Sequence, residues 1–293
     1  MNRRQFLKFG TTVGVGLLGI GMPNNLNASQ VIESRAIAYN AENGIANIVR
    51  IDHKGIASDV ETHQWATGWS HIVPAWRWGE LLTYNASSGI ANLIRIDSEG
   101  IAHNVGTYRW ATGWSHIISF SGSVLLYNTG SGAAQLVQID RDRKAHIQAA
   151  YRLGTGWTHI ASIEAGIIAY DVESGIARLV RIDKNYKAHD QASYRWAANW
   201  SHLISFAGQL VRYNAESGSA NMVHIDSYGE ASNIATYRWA IDWSHIISDR
   251  AWRLVMYNAG NGDAGLMELD LKGKASDLAT YNWDSDQTSV MCF

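Results

Sequence analysis

The pair Tyr-Asn or Tyr-Asp recurs at Tyr39, Tyr84, Tyr127, Tyr170, Tyr213 and Tyr257, at intervals of 45, 43, 43, 43 and 44 residues. Around each pair the same segments return in the same order. An apolar run ends in the Tyr pair, a glycine turn such as Ser88-Gly89 follows, an alternating run ends in Ile-Asp, and Tyr-Arg-Trp and Trp-Ser-His-Ile segments complete the unit. A period in the forties that carries several short strands belongs to a propeller or to a linear β-array. Glycine in the turn supplies the positive φ of a tight hairpin. The run from Ala91 to Asp97 alternates as a strand does, with Leu93 departing from strict alternation. Four strands in one such period are the content of a propeller blade. The six units therefore predict an all-β, six-bladed β-propeller of four-stranded antiparallel blades, with no helix beyond the N-terminal segment.

The two ends of the repeat region decide between ring and array. Five units finish in Trp-Ser/Thr-His, at Trp69, Trp114, Trp157, Trp200 and Trp243, whereas the sixth has Thr288-Ser289-Val290-Met291 at that place. The first Tyr-Asn strand has no Trp-Ser-His strand ahead of it. The C-terminal strand is therefore expected to pair with the first unit, closing the ring and removing two open sheet edges.

With 293 residues, one large β domain is sufficient. Charged residues are 17% of the chain and the net charge is -2, which excludes a basic field able to hold a nucleic acid. The single cysteine, Cys292, excludes an intramolecular disulfide and a cysteine-rich metal site. Residues 1–28 read as a targeting segment. Asn2-Arg3-Arg4-Gln5-Phe6-Leu7-Lys8 resembles a twin-arginine export signal, Gly10 to Met22 is apolar but too short to span a membrane, and Leu26-Asn27-Ala28 suits cleavage. The expected mature chain is the propeller domain, 29–293, without a transmembrane segment, placed in the bacterial periplasm or secreted.

Thirteen Trp and thirteen Tyr against five Phe favour rings that combine an apolar face with a hydrogen-bonding edge. Trp65, Trp110, Trp196, Trp239 and Trp283 follow polar residues in the third strand, with Leu153 at the remaining position. Such rings can cover a sugar face while Asn85, Asn128 and Asn214 bind hydroxyls; they can equally well belong to the core. His71, His116, His159, His202 and His245, one per unit, either line equivalent ligand pockets or pack between blades with the imidazole bonded to backbone. One such His per blade cannot assemble the ligand set of a metal. Ser58, His103, His146, His189, Ser232 and Ser276 each follow an Ile-Asp aspartate by six residues, and the exchange of Ser for His there indicates a turn or strand-edge hydrogen bond. Catalysis needs different groups converging on one point, while nearly every polar residue here has equivalents a blade away. No nucleophile elbow, zinc-protease helix or phosphate loop occurs. The breaks in symmetry are Pro74-Ala75-Trp76-Arg77-Trp78 and a similar insertion holding Trp252.

The Gly-Trp-Ser/Thr-His-Ile segment followed by an apolar strand ending in Tyr-Asn/Asp resembles the repeats of tachylectin-2-type β-propeller lectins, over roughly residues 30 to 293. The resemblance implies a secreted, multivalent glycan-binding protein with amino sugars among its ligands. It implies neither catalytic activity nor a cofactor. Two other expectations stand beside it: an exported propeller hydrolase or dehydrogenase with a central-channel site, and a cell-surface scaffold for protein partners.

Overall fold

The structure is a computed structural model that describes residues 34–293 except 76, 78, 250 and 251. The expected export segment, Trp76 and Trp78 lie outside the described residues. Among the described residues twenty-four strands form six separate four-stranded antiparallel sheets. One sheet has the order β24 (Ser289–Cys292), β1 (Ser34–Tyr39), β2 (Ile45–Ile51), β3 (Ala57–Gln64). The other five run consecutively, the next blade being β4 (His71–Pro74), β5 (Glu80–Tyr84), β6 (Ile90–Ile96) and β7 (Ala102–Arg109). Among the described residues there is no helix. The strand that follows each Trp-Ser/Thr-His thus opens the next blade.

The innermost strands are β4, β8 (His116–Phe120), β12 (His159–Ile163), β16 (His202–Phe206), β20 (His245–Ser248) and β24, and each touches the next around the ring, β24 returning to β4. The chain is a six-bladed β-propeller with these strands around its central channel. Burial falls outward. The second strand of a blade, such as β5, is buried along its whole length, whereas the outermost, such as β7, alternates between half-buried and exposed. The core lies between blades: Leu82, Tyr84, Ala91 and Leu93 of the second blade pack with Trp114, Ile117, Val124 and Leu126. Because both faces of a blade are covered, Leu93 and Ile94 are buried in succession, and the ladder to β7 shifts register between them, leaving Val105 as an unpaired bulge residue. The same shift occurs in all six blades. This is the physical origin of the broken alternation at Leu93.

Two sets of hydroxyls tie each blade to its neighbour. The buried Tyr of the repeated pair donates to a carbonyl of the loop entering the next blade, as Tyr84 to Ala111 O at 2.7 Å, and accepts the Trp114 amide at 3.4 Å. On the outer strand, Tyr108, Tyr151, Tyr194 and Tyr237 donate to the carbonyls of Arg143, Tyr186, Gly229 and Gly273, and Tyr281 to that of Gly55. His63 takes this place in the first blade, bonding Gly100 O at 2.8 Å. The turn glycine is required by both φ and space: Gly89 has a φ of 72°, and a Cβ there would collide with the Trp110 carbonyl.

Closure is antiparallel, with Ala36 opposite Cys292, Ile37 opposite Met291, Ala38 opposite Val290 and Tyr39 opposite Ser289. The junction into this blade also carries a buried polar lock absent from the other units. Asp249 accepts from Arg253 Nε at 2.7 Å and from Ser34 Oγ at 2.8 Å, and Arg253 Nη1 reaches Asp52 O at 2.6 Å. Asp249, in the insertion after the fifth unit, thus serves ring closure, whereas Trp252 packs edge-on against Phe206.

Val290, Met291, Cys292 and Phe293 are each at most 3% exposed. Removing Thr288 to Phe293 strips about 1.5–3 kcal/mol per large buried side chain and reopens both sheet edges. The truncated protein should melt more than about 10 °C below the full chain by differential scanning fluorimetry; an unchanged melt would contradict closure by this strand.

Candidate functional site at the channel mouth

The innermost strands begin at one end of the channel with the repeated histidines. His71, His116, His159, His202 and His245 point along the ring, each Nε2 meeting the backbone carbonyl just ahead of the next innermost strand: Ser115 O at 3.1 Å, Thr158 O at 2.8 Å, Ser201 O at 2.9 Å, Ser244 O at 3.0 Å and Thr288 O at 3.2 Å. A carbonyl only accepts, so the network assigns the proton to Nε2 and leaves Nδ1 to accept. Its partner is the preceding hydroxyl, at 2.9 Å from Ser70, Thr158, Ser201 and Ser244 and at 3.3 Å from Ser115. Each ring also lies 5.6–5.9 Å from the buried Tyr of its own blade. Burial holds His116, His159, His202 and His245 down to about 4, against the upward pull of the carbonyl bond, and lowers His71 for the same reason. All five are neutral at pH 7.

The belt is broken once. At the sixth position Thr288 keeps the hydroxyl role, accepting from the Ala41 amide at 2.9 Å, but Ser289 stands where the imidazole belongs. The Ser70 carbonyl therefore meets no imidazole. Gln287 replaces the Trp of the other units, and its Oε1 is buried without a partner. His245, next to this break, and His202 are half-exposed, whereas His71, His116 and His159 are buried.

The other expected site residues are spread around the ring. Trp65, Trp110, Trp196 and Trp283 are half-buried and Trp239 is buried. All five pack on the repeated Tyr of their own blade, and four of them also stack on the outer-strand Tyr, with His63 in that place for Trp65. Asn85, Asn128 and Asn214 cap their own turns through Oδ1, while Nδ2 donates to Gly68 O, Gly113 O and Asn199 O. His103, His146 and His189 bond the preceding Asp97, Asp140 and Asp183 at 2.8, 2.8 and 2.9 Å, the turn bond expected of them. The structure does not gather these groups at one point. Among the described residues no cluster of three metal-ligating side chains occurs, and no helix is long and apolar enough to cross a membrane.

No family model and no curated protein matches the chain. Solved propellers do. A candidate 6-phosphogluconolactonase of Bacteroides fragilis is similar over 92% of this chain and 100% of its own, with a TM-score of 0.64 and 9% identity. A periplasmic gluconolactonase of Pseudomonas aeruginosa gives 0.59 and 8% over 89% and 99%. A candidate 6-phosphogluconolactonase of Bacteroides uniformis gives 0.57 and 12% over 89% and 85%. At such identities the likeness establishes the fold. It also corrects two expectations drawn from the repeats, a glycan-binding lectin and the absence of catalysis, because these similar propellers are named for lactone chemistry rather than for sugar binding. The physical reason for the misreading is that the repetition of Trp, His and Asn is accounted for by stacking, inter-blade bonds and turn caps.

Because the folded imidazoles hold protons less tightly than the usual 6.5, the unfolded chain binds more protons between pH 6.5 and about 4. Their contribution is complete above pH 6.5 and lost as pH falls through about 4, on the order of 1–3 kcal/mol for each. The aspartates held below 3.8, such as Asp97, give way only at lower pH. Urea unfolding midpoints should therefore fall steeply from pH 6.5 to 4, and the double variant His116→Gln/His159→Gln should start less stable with a shallower slope.

Proposed function

We propose that this propeller is a hydrolase that opens a sugar-derived lactone at the mouth of its channel. The observation that carries the reading is the single break in the imidazole belt. Five positions are filled and satisfied, while the sixth leaves the Ser289 hydroxyl and the Ser70 carbonyl next to half-exposed His245. There a hydroxyl and a carbonyl offer a donor and an acceptor to a water or to a lactone. The names of the similar propellers support the substrate class. In the reaction the water oxygen adds to the acyl carbon, the ring C–O bond breaks, and the ring oxygen takes a proton to give a hydroxy acid. Electrons are not transferred and no co-reactant besides water is consumed. An exported location, suggested by the twin-arginine-like residues 2–8, accords with the periplasmic gluconolactonase among those propellers.

The test is acid release from D-glucono-δ-lactone at pH 7, measured against buffer alone. The wild-type protein should accelerate it. Ser289→His completes the belt with the residue that the other five blades carry, so it should leave the melting temperature equal or higher while cutting the rate at least about tenfold, a barrier increase of about 1.4 kcal/mol. Hydrolysis at the buffer rate by the wild-type protein, or an unchanged rate in Ser289→His, would defeat the proposal.

A further inference from the structure

The residue just before the repeated Tyr of each second strand reads Ala38, Thr83, Leu126, Ala169, Arg212 and Met256 around the ring. Five of these are apolar or small. Arg212, in β17 (Gln209–Tyr213), puts a guanidinium into the cleft between the fourth and fifth blades, with Cζ 4.6 Å from the centroid of Trp196 and 4.9 Å from that of Trp200. Burial lowers its pKa to about 10, so it is charged at neutral pH.

Nothing in the cleft answers that charge. Among the described residues the Arg212 guanidinium has no ion pair and no hydrogen bond, and its Nε is buried without an acceptor. Tyr170 is the one titratable group whose charge bears on Arg212, and that phenol, held above its usual value chiefly by burial, is neutral; Asp171, which also acts on Tyr170, forms no ion pair with Arg212. In the preceding cleft Arg178 also lies over a Trp, Trp157 at 5.4 Å, but it has a carboxylate, Asp190, at 3.5 Å. The Trp200 indole N–H, against which Arg212 packs, is likewise buried without a partner. Trp114 and Trp243 share that unpaired indole in their own clefts, so the guanidinium is what sets this one apart. Buried donors without acceptors cost free energy unless a ligand, ion or water supplies the acceptor.

We propose that the cleft between the fourth and fifth blades binds a small organic carboxylate, its oxygens on the Arg212 fork and its body against Trp196 and Trp200. Arginine presents parallel N–H donors that match a carboxylate. The two indoles add apolar cover, which favours an organic anion over an inorganic one. Arg212 and Trp196 are both half-buried, so the cleft opens to solvent. The assignment does not depend on hydrolysis at the channel mouth.

The experiment is ligand-observed NMR on the intact protein with sodium benzoate and sodium gluconate, with benzamide as the neutral counterpart of benzoate and sodium chloride as competitor. At least one carboxylate should bind saturably with a dissociation constant below about 10 mM. Arg212→Met, which installs the residue of the next blade, should keep the melting temperature and weaken binding at least about tenfold. Arg212→Lys should weaken it less than Arg212→Met. The proposal is overturned if neither carboxylate binds, if benzamide binds as well as benzoate, if chloride competes at equal concentration, or if Arg212→Met binds as the wild type does.

Discussion

The pairing of β24 with β1 is the constraint on which the rest of the molecule depends. Each blade covers its faces only with the help of its two neighbours, and the largest side chains sealed from solvent are the six repeated tyrosines at the blade junctions. An open array would leave one face of the first and of the last blade in water, together with two unpaired edges. Antiparallel pairing of distant chain ends supplies the missing contacts, and the Asp249, Arg253 and Ser34 lock adds a buried polar network at the junction into the same blade. Replacing one member of that network would strand the others, which makes it a device for a unique closure geometry rather than a large net source of stability.

Most of the architecture was legible in the repeat. Blade number, strand number, hairpin turns and the odd C-terminal strand all follow from local sequence, because glycine turns and alternating runs are local physics. The turn-type hydrogen bonds of His103, His146 and His189 to their aspartates were legible for the same reason. What each repeated polar side chain touches was not. His116 bonds Thr158 O, 42 positions away, and Tyr108 bonds Arg143 O, 35 positions away. Such bonds are set by how blades stack, a tertiary relation that strand periodicity does not encode. A histidine repeated once per unit therefore left two readings open, a ligand pocket or a lock between blades, and its bond to the next blade's carbonyl makes it a lock.

The more informative signal lay in the columns where the repeat fails. A position that performs a lock can change only when the lock is lost or replaced, so each exception marks a place where the junction differs. Gln287 for Trp and Ser289 for His fall together at the closing blade, where the ring was joined from two chain ends. Glu80, buried at the first position of β5 with one oxygen unpartnered and the other 3.9 Å from Arg143, marks another junction. Arg212 marks a third, and it differs in kind: Glu80 has a cation within reach, whereas Arg212 faces only aromatic rings.

That difference bears on how a symmetric propeller acquires an asymmetric site. A blade cannot be redesigned as a whole without losing the bonds it makes to both neighbours, because its Tyr, His and Trp are shared with them. Single substitutions at columns that make no lock are free of this restriction. The residue just before the repeated Tyr is such a column, tolerating Ala, Thr, Leu, Arg and Met. The first residue of the innermost strand is not, since the imidazole there serves both a carbonyl and a hydroxyl. Its loss at Ser289 is compatible with the fold because the closing strand is held by backbone pairing along β1 and by Thr288, which keeps its own bonds to Tyr39 O and the Ala41 amide. The closing blade is thus the one place where the channel mouth can change without loosening a lock that the ring requires.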